Sequence, residues 1–138
     1  DITRTVVRGR ASEPVRRLSH PVARAQELAF SRIEPGTPAR TLHQSVHAFF
    51  EHEGYRTGQK NGRMVGFIHG TGHGLGLSLH EAPSLSSRSQ DTLRTGHVVT
   101  IEPGLYYPGT GSVRLEDVAL VTNNSVRNLT KFEKVLEV

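Results

Sequence analysis

Cysteine is absent from the 138-residue chain. This excludes disulfide bridges and thiolate metal ligands, so a metal site would rely on imidazole nitrogen and on oxygen ligands. A chain without cysteine fits a reducing compartment, and we expect a cytoplasmic protein. The sequence also lacks any apolar run near the ~18 residues that a membrane span needs, so we expect no membrane partner.

Lysine is scarce as well, with only three in the chain. The formal net charge of +4 therefore comes mostly from arginine. The nearest approach to a basic cluster is formed by Arg8, Arg10, Arg16 and Arg17. Such a cluster is compatible with a nucleic-acid surface, but arginines scattered in this way are more typical of a solvated face. We therefore expect no nucleic-acid partner.

The length allows one modest hydrophobic core and leaves no room for two ordinary domains. Apolar residues at helical spacing predict two helices, over residues 12–33 and 41–54, with Pro21 favouring a start or a kink in the first. Segments rich in β-formers predict strands at 1–7, 64–68, 97–101, 112–122 and 132–138, and the stretches 55–63 and 82–96 are predicted as loops. This order predicts an α+β layer, with helices on one face of a mainly antiparallel sheet.

The most informative run is Gly70–Glu81, which reads GTGHGLGLSLHE. Its glycines permit close backbone approach and positive φ, so His69 and His73 are not predicted to form a helical pair. Taken alone, a glycine-rich loop with one histidine is more often a turn than a ligand site. The pair His80-Glu81, following alternate leucines, strengthens the interpretation as a site.

Two predicted strands downstream each carry a carboxylate. Glu102 follows an apolar run and precedes Pro-Gly, and Glu116 lies two residues after Arg114. A buried carboxylate is costly unless a cation compensates it. Glu102 at a solvated strand end and a structural Arg114–Glu116 ion pair are the plainer alternatives. One histidine converging with several carboxylates instead predicts a site for Mn, Co, Fe or Zn.

Three motifs in order resemble those of one family. They are HGxGHGLGLxxHE at 69–81, TIEPGxY at 100–106 and VRxED at 113–117. Together they resemble the Xaa-Pro peptidase branch of the pita-bread metallopeptidases, which includes prolidase and aminopeptidase P. Arg114 favours this branch over methionine aminopeptidase. Residues 1–5 resemble a further strand of the family, so the likeness covers nearly the whole chain and implies a pita-bread fold, a curved antiparallel sheet with helices on its outer face.

The resemblance implies a dinuclear site for divalent metal ions, with Mn or Co favoured and Zn or Fe as alternatives. The matching metal ligands are Asp1, His73, Glu102 and Glu116. Hydrolysis would use a metal-bound hydroxide and cleave the peptide bond before proline. Glu102 would accept a proton, and His80 would donate a hydrogen bond to the developing oxyanion. His69 and Arg114 match residues that contact and orient the substrate.

The family's first metal-binding aspartate has no counterpart in this sequence. We therefore expect residues 1–138 to form a single partial catalytic domain, the second half of the fold plus one strand of the first. One metal position would keep all its ligands, and hydrolysis by this part alone would be weak or absent. An exposed strand edge near residues 2–7 favours a homodimer or association with the missing half. The alternative function is a pita-bread module that binds a peptide without cleaving it.

Overall fold

The computed structural model describes all of residues 1–138 and contains two helices and nine short strands. The helices are α1 (Glu13–Ser31) and α2 (Ala39–His52). The strands are β1 (Gly58–Lys60), β2 (Arg63–Val65), β3 (Gly72–Gly74), β4 (Glu81–Leu85), β5 (Val98–Ile101), β6 (Gly104–Tyr107), β7 (Gly111–Arg114), β8 (Asp117–Val121) and β9 (Val126–Asn128). Neither helix has the length and apolarity to cross a bilayer.

The main sheet has five strands in the order β4-β3-β5-β8-β9, and every neighbouring pair is antiparallel. Two hairpins, β1–β2 and β6–β7, complete the sheet structure. Helix α1 packs against β5, β6 and β7, and α2 packs against β4. A single core of 19 buried apolar residues joins the helices to the strands. The predicted α+β class with a mainly antiparallel sheet is confirmed.

Both predicted helices form, because their apolar residues recur every three or four positions and meet the sheet on one face. In α1 the buried side chains include Leu18, Val22 and Ala29, and in α2 they include Leu42 and Phe50. Each of these five side chains is at most 4% exposed. The helical period in the sequence therefore located the core face of each helix correctly.

Pro21 does not start α1, which begins at Glu13 and runs on through the proline. Proline has no N–H, so the carbonyl of Arg17 one turn earlier loses its usual helical donor. The hydroxyl of Tyr55 donates to that carbonyl at 2.6 Å and replaces the missing bond. A residue beyond the end of α2 thus satisfies the carbonyl that proline leaves free.

Several strand predictions are wrong. Residues 1–7 make two isolated bridges, Thr3 with Glu116 and Val7 with Glu137, and no regular strand. The predicted loop 55–63 contains β1, and the predicted loop 82–96 begins with β4. Residues 132–138 form no strand, whereas β9 lies just before them. Whether such a short segment forms a strand depends on the partner segments that it meets in the fold, and local composition does not reveal those partners.

The predicted strand 112–122 is two strands. Residues 111–114 pair with β6 in a hairpin, whereas 117–121 pair with β5 in the main sheet. The chain changes partner at Leu115 and Glu116, both buried. A continuous alternation of side chains therefore does not run through this segment, and Glu116 lies at the junction.

Asp117 follows this junction and is only 1% exposed. Its carboxylate accepts hydrogen bonds from Arg4 at 2.7 Å and from Lys134 and Asn128 at 2.8 Å each. Burial by itself would raise the pKa of Asp117, but these three donors outweigh burial and hold the pKa below its ordinary value. The network ties both terminal segments to β8.

We expect Asp117→Asn to lower the free energy of unfolding by about 3 kcal/mol, because it leaves the buried Arg4 guanidinium without its counter-ion. Urea denaturation at pH 7 measures this. Because the pKa of Asp117 is lowered, its stabilisation is present at neutral pH and is lost as the pH falls below 3.8. The control Glu13→Gln removes an exposed ion pair with Arg17 and should cost less than about 1 kcal/mol. Equal effects of the two changes would contradict the assignment.

Candidate metal centre

Strand β3 approaches its neighbours more closely than any side chain would allow. A Cβ at Gly72 would lie 1.8 Å from the carbonyl oxygen of Thr100, and one at Gly74 would lie 2.2 Å from that of Ala82. The predicted close approach is therefore present. The glycines in residues 70–76 do not use the positive φ that they permit, since none of them adopts it. Glycine on both sides of His73 lets that histidine sit between β4 and β5, 7% exposed.

His73 directs one ring nitrogen towards carboxylates. Its Nδ1 lies 3.0 Å from the carbonyl oxygen of Gly74, which can only accept, so Nδ1 carries the proton. In a neutral ring Nε2 would then carry the lone pair, and it lies 3.6 Å from Asp1 Oδ2 and 3.5 Å from Glu102 Oε1. A backbone carbonyl that fixes the tautomer in this way is the usual support of a metal-binding histidine.

Glu116 reaches the same point from the junction between β7 and β8. It is 3% exposed, and its side chain accepts a hydrogen bond from the hydroxyl of Thr3. Its backbone N–H donates to the carbonyl of Thr3 at 3.0 Å, which brings the first residues of the chain alongside. Ligand atoms of Asp1, His73 and Glu116 all lie within 4.8 Å of one another.

Glu102 lies at the end of β5 and is not a solvated strand end, because its side chain is 17% exposed. Its backbone N–H donates to the carbonyl of Thr71 at 2.7 Å. Burial, reinforced by the negative charge of Glu116, raises the pKa of Glu102, although His73 and Arg114 oppose the shift. An added cation would stabilise the ionised form of a carboxylate held in this way.

Arg114 does not form the ion pair with Glu116 that the plainer interpretation expects. Its guanidinium donates to the hydroxyl of Tyr106 at 3.2 Å and to the hydroxyl of Thr3 at 3.3 Å. The hydroxyl of Tyr106 also lies 2.9 Å from Nε2 of His69. Nδ1 of His69 must donate to the carbonyl of Gly70, so Tyr106 donates to Nε2. Burial lowers the pKa of His69, which favours this neutral form.

Tyr106 and Thr3 were not predicted as site residues. Tyr106 is the last residue of the motif at 100–106, which is the one signal that pointed to it. Thr3 lies in the segment 1–5 that resembles a strand of the family, but nothing in that resemblance singles out its hydroxyl, which the bridge to Glu116 places in the site.

An open cavity of about 650 Å³ lies over these residues. His69, His73, His80, Glu102 and Arg114 all line it, and only one of its twelve lining residues is hydrophobic. The exposed ring of His80 stands edge-on to that of His73, with centroids 4.4 Å apart. Five of the seven predicted residues thus line one cavity, and Asp1 and Glu116 lie next to it, each with a ligand atom within 4.8 Å of one on His73.

The family model for metallopeptidase family M24 matches residues 1–123. Among curated proteins, the chain is 40% identical over 136 residues to an Xaa-Pro dipeptidase of Pyrococcus furiosus. That match takes in 99% of this chain and 37% of the relative, so the chain spans little more than a third of that protein's length.

Solved structures agree with this result. The prolidase from Pyrococcus horikoshii OT3 matches with a TM-score of 0.87 and 40% identity, over 99% of this chain and 37% of that one. The X-Pro aminopeptidase from Thermotoga maritima matches with a TM-score of 0.87 and 32% identity, over 100% of this chain and 37% of that one. The pita-bread fold predicted from the motifs is confirmed.

We expect Glu102→Gln to raise the melting temperature of the metal-free protein at pH 7 by a few degrees. The raised pKa means that ionised Glu102 destabilises the fold as the pH rises through that pKa, and glutamine removes this charge. Calorimetry in EDTA at pH 7 and pH 4 measures the effect, which should shrink at pH 4 as the wild-type carboxyl takes up its proton. Glu133→Gln, at an exposed position, is the control. A lower melting temperature for Glu102→Gln at pH 7 would contradict the expectation.

Proposed function

The chain belongs to metallopeptidase family M24, in its Xaa-Pro peptidase branch, and on that premise we propose that Asp1, His73, Glu102 and Glu116 hold a divalent metal ion. One observation carries the proposal. The ligand atoms of Asp1, His73 and Glu116 lie within 4.8 Å of one another, and the carboxylate of the fourth residue, Glu102, lies 3.5 Å from Nε2 of His73.

The chemistry of this donor set fits such an ion. Three carboxylates and one imidazole lone pair gather at a half-buried point, and the nearby guanidinium of Arg114 is directed to Tyr106 and Thr3 instead. Oxygen and imidazole ligands together suit Mn or Co, with Zn or Fe as alternatives. We propose two ions in the whole protein, of which these residues complete one position.

The proposed reaction is hydrolysis of the peptide bond before proline, as the names of the relatives indicate for those proteins. A bound divalent ion would polarise the scissile carbonyl and lower the pKa of a water molecule. Glu102 is suited to accept the proton, because it is a carboxylate held beside the proposed ion, 3.5 Å from Nε2 of His73. His80 can donate a hydrogen bond to the developing oxyanion from the rim of the cavity.

His69 and Arg114 would orient the substrate. Both line the cavity, and both are held by the hydroxyl of Tyr106. Only one of the twelve lining residues is hydrophobic, and polar side chains such as those of His69, Glu102 and Arg114 can orient a bound peptide. The proposal includes two kinds of enzyme. A dipeptidase would take a dipeptide, and an aminopeptidase P-like enzyme would take a longer peptide.

The activity proposed is that of the whole protein, since the chain spans 37% of the length of the Pyrococcus furiosus relative. Within it, residues 1–138 would act as one partial catalytic domain, with weak or no hydrolysis on their own. Association with the rest of that domain or with a second copy stays a prediction. Exposed apolar side chains at Ile2, Val6, Phe132 and Val138 are compatible with it. The cytoplasmic location also stays a prediction.

We expect these residues to bind about one Mn or Co ion per folded chain, measured as metal content after dialysis and by calorimetric titration. Glu116→Ala removes a buried ligand and should weaken binding by at least about 100-fold. The exposed carboxylate of Glu133 provides the matched control, so Glu133→Ala should bind as the wild type does. Release of proline from an Xaa-Pro dipeptide is the second readout.

A folded wild-type sample that binds no ion would overturn the proposed metal site. Metal binding that survives Glu116→Ala unchanged would show that the ion sits elsewhere.

A further inference from the structure

Two polar side chains interrupt the apolar faces by which the helices meet the sheet. Gln26 of α1 is 1% exposed and His43 of α2 is 7% exposed. Both reach the same region of the sheet, because Gln26 donates to the carbonyl of Ile101 at 2.9 Å and His43 contacts Thr71. Ile101 immediately precedes Glu102. Buried polar groups at such positions are expected to be hydrogen-bonded, and here the bonds run to the backbone and loop of the candidate metal centre.

Thr71 is a junction between three parts of the fold. Its side chain is fully buried, and its hydroxyl lies 3.0 Å from Nδ1 of His43. Its N–H donates to the carbonyl of Leu85 in β4 at 2.7 Å. Its carbonyl accepts the N–H of Glu102, also at 2.7 Å. A movement of Thr71 would therefore displace the backbone of Glu102.

The ring of His43 is itself held in place. It packs against the ring of Phe67, with centroids 5.3 Å apart, and lies 6.4 Å from the ring of His47. Burial, followed by the nearby charges of His47 and His69, lowers the pKa of His43 to about 4. The ring is therefore neutral at pH 7, and one of its nitrogens can pair with a hydroxyl as donor or acceptor.

We propose that His43 is a positioning residue, whose hydrogen bond to Thr71 fixes the loop between His69 and His73 and, through the carbonyl of Thr71, the backbone of Glu102. Thr71 is two residues from His69 and two from His73, so its position constrains the backbone from which both imidazole side chains extend. An apolar side chain at position 43 would leave a buried hydroxyl without a partner and release this loop. The consequence for metal binding rests on the proposed function, whereas the positioning contact itself does not.

Amide hydrogen exchange in the metal-free protein tests the contact directly. The measured quantity is the exchange rate of the Glu102 amide relative to that of Val99, which lies in the middle of the same sheet. We expect this ratio to rise about tenfold in Thr71→Val and in His43→Leu, because one hydrogen bond supporting the Thr71 carbonyl is lost. The double variant should show no larger rise than either single variant, since both remove the same bond.

Matched variants separate positioning from a general loss of stability. Thr71→Ser keeps the hydroxyl and His43→Asn keeps a polar atom near the position of Nδ1, so both should retain the wild-type ratio. Val46→Ala opens a cavity in the same helix, one turn from His43, and should lower stability without changing the ratio. An unchanged ratio in both Thr71→Val and His43→Leu would overturn the proposal, as would an equal rise in Val46→Ala.

Metal titration supplies the functional arm. The affinity for Mn should fall about tenfold in Thr71→Val and stay unchanged in Val46→Ala, as expected when a group that supports a ligand is removed. A wild-type protein that binds no Mn would refute the proposed metal site, while the exchange ratio would still decide the role of His43. Wild-type affinity in Thr71→Val together with an altered exchange ratio would show that the contact orders the loop without serving the metal, and would overturn the proposed consequence for metal binding.

Discussion

The close backbone contact between β3 and its two neighbours is the constraint on which the rest of the structure depends. The absence of a Cβ at Gly72 and Gly74 lets the strand enter between β4 and β5. His73 is thereby buried in the sheet, with its ring aimed at carboxylates from separate parts of the chain. A Cβ at either glycine would clash with the backbone of a neighbouring strand, so a larger residue would force the strands apart and displace His73.

Two neighbouring buried carboxylates, Glu116 and Asp117, differ in the charged groups that surround them. Asp117 and Glu116 are equally buried, at 1% and 3% exposure. Asp117 is neutralised by Arg4 and Lys134, and its lowered pKa records that compensation. Glu116 has the hydroxyl of Thr3 as its side-chain partner and instead raises the pKa of Glu102. Asp117 is therefore a structural residue, whereas Glu116 has no such cationic partner, which supports the proposed metal ion beside it.

The helices do more than cover the sheet. Their apolar stripes supply much of the core, while Gln26 donates to the carbonyl of Ile101 and His43 is hydrogen-bonded to the hydroxyl of Thr71, whose carbonyl accepts the N–H of Glu102. The same packing that stabilises the domain thus also restrains the ends of the strands that bear the candidate ligands. Tyr106 has a similar part on the cavity side, where it joins His69 to Arg114.

The sequence by itself determined the two helices, because a period near 3.6 is a local property that survives in any packing with one buried face. It also determined the chemistry of the site, since the three motifs carry His73, Glu102 and Glu116 as contiguous patterns. Only the tertiary structure decided where strands begin and end, as the division of residues 111–121 between two sheets shows. Only the tertiary structure brought in Thr3, whose hydroxyl lies in the site because its backbone pairs with Glu116, more than a hundred residues away. Strand pairing and side-chain contacts such as that between Thr3 and Glu116 depend on partners that are distant in the sequence, so no local sequence pattern predicts them.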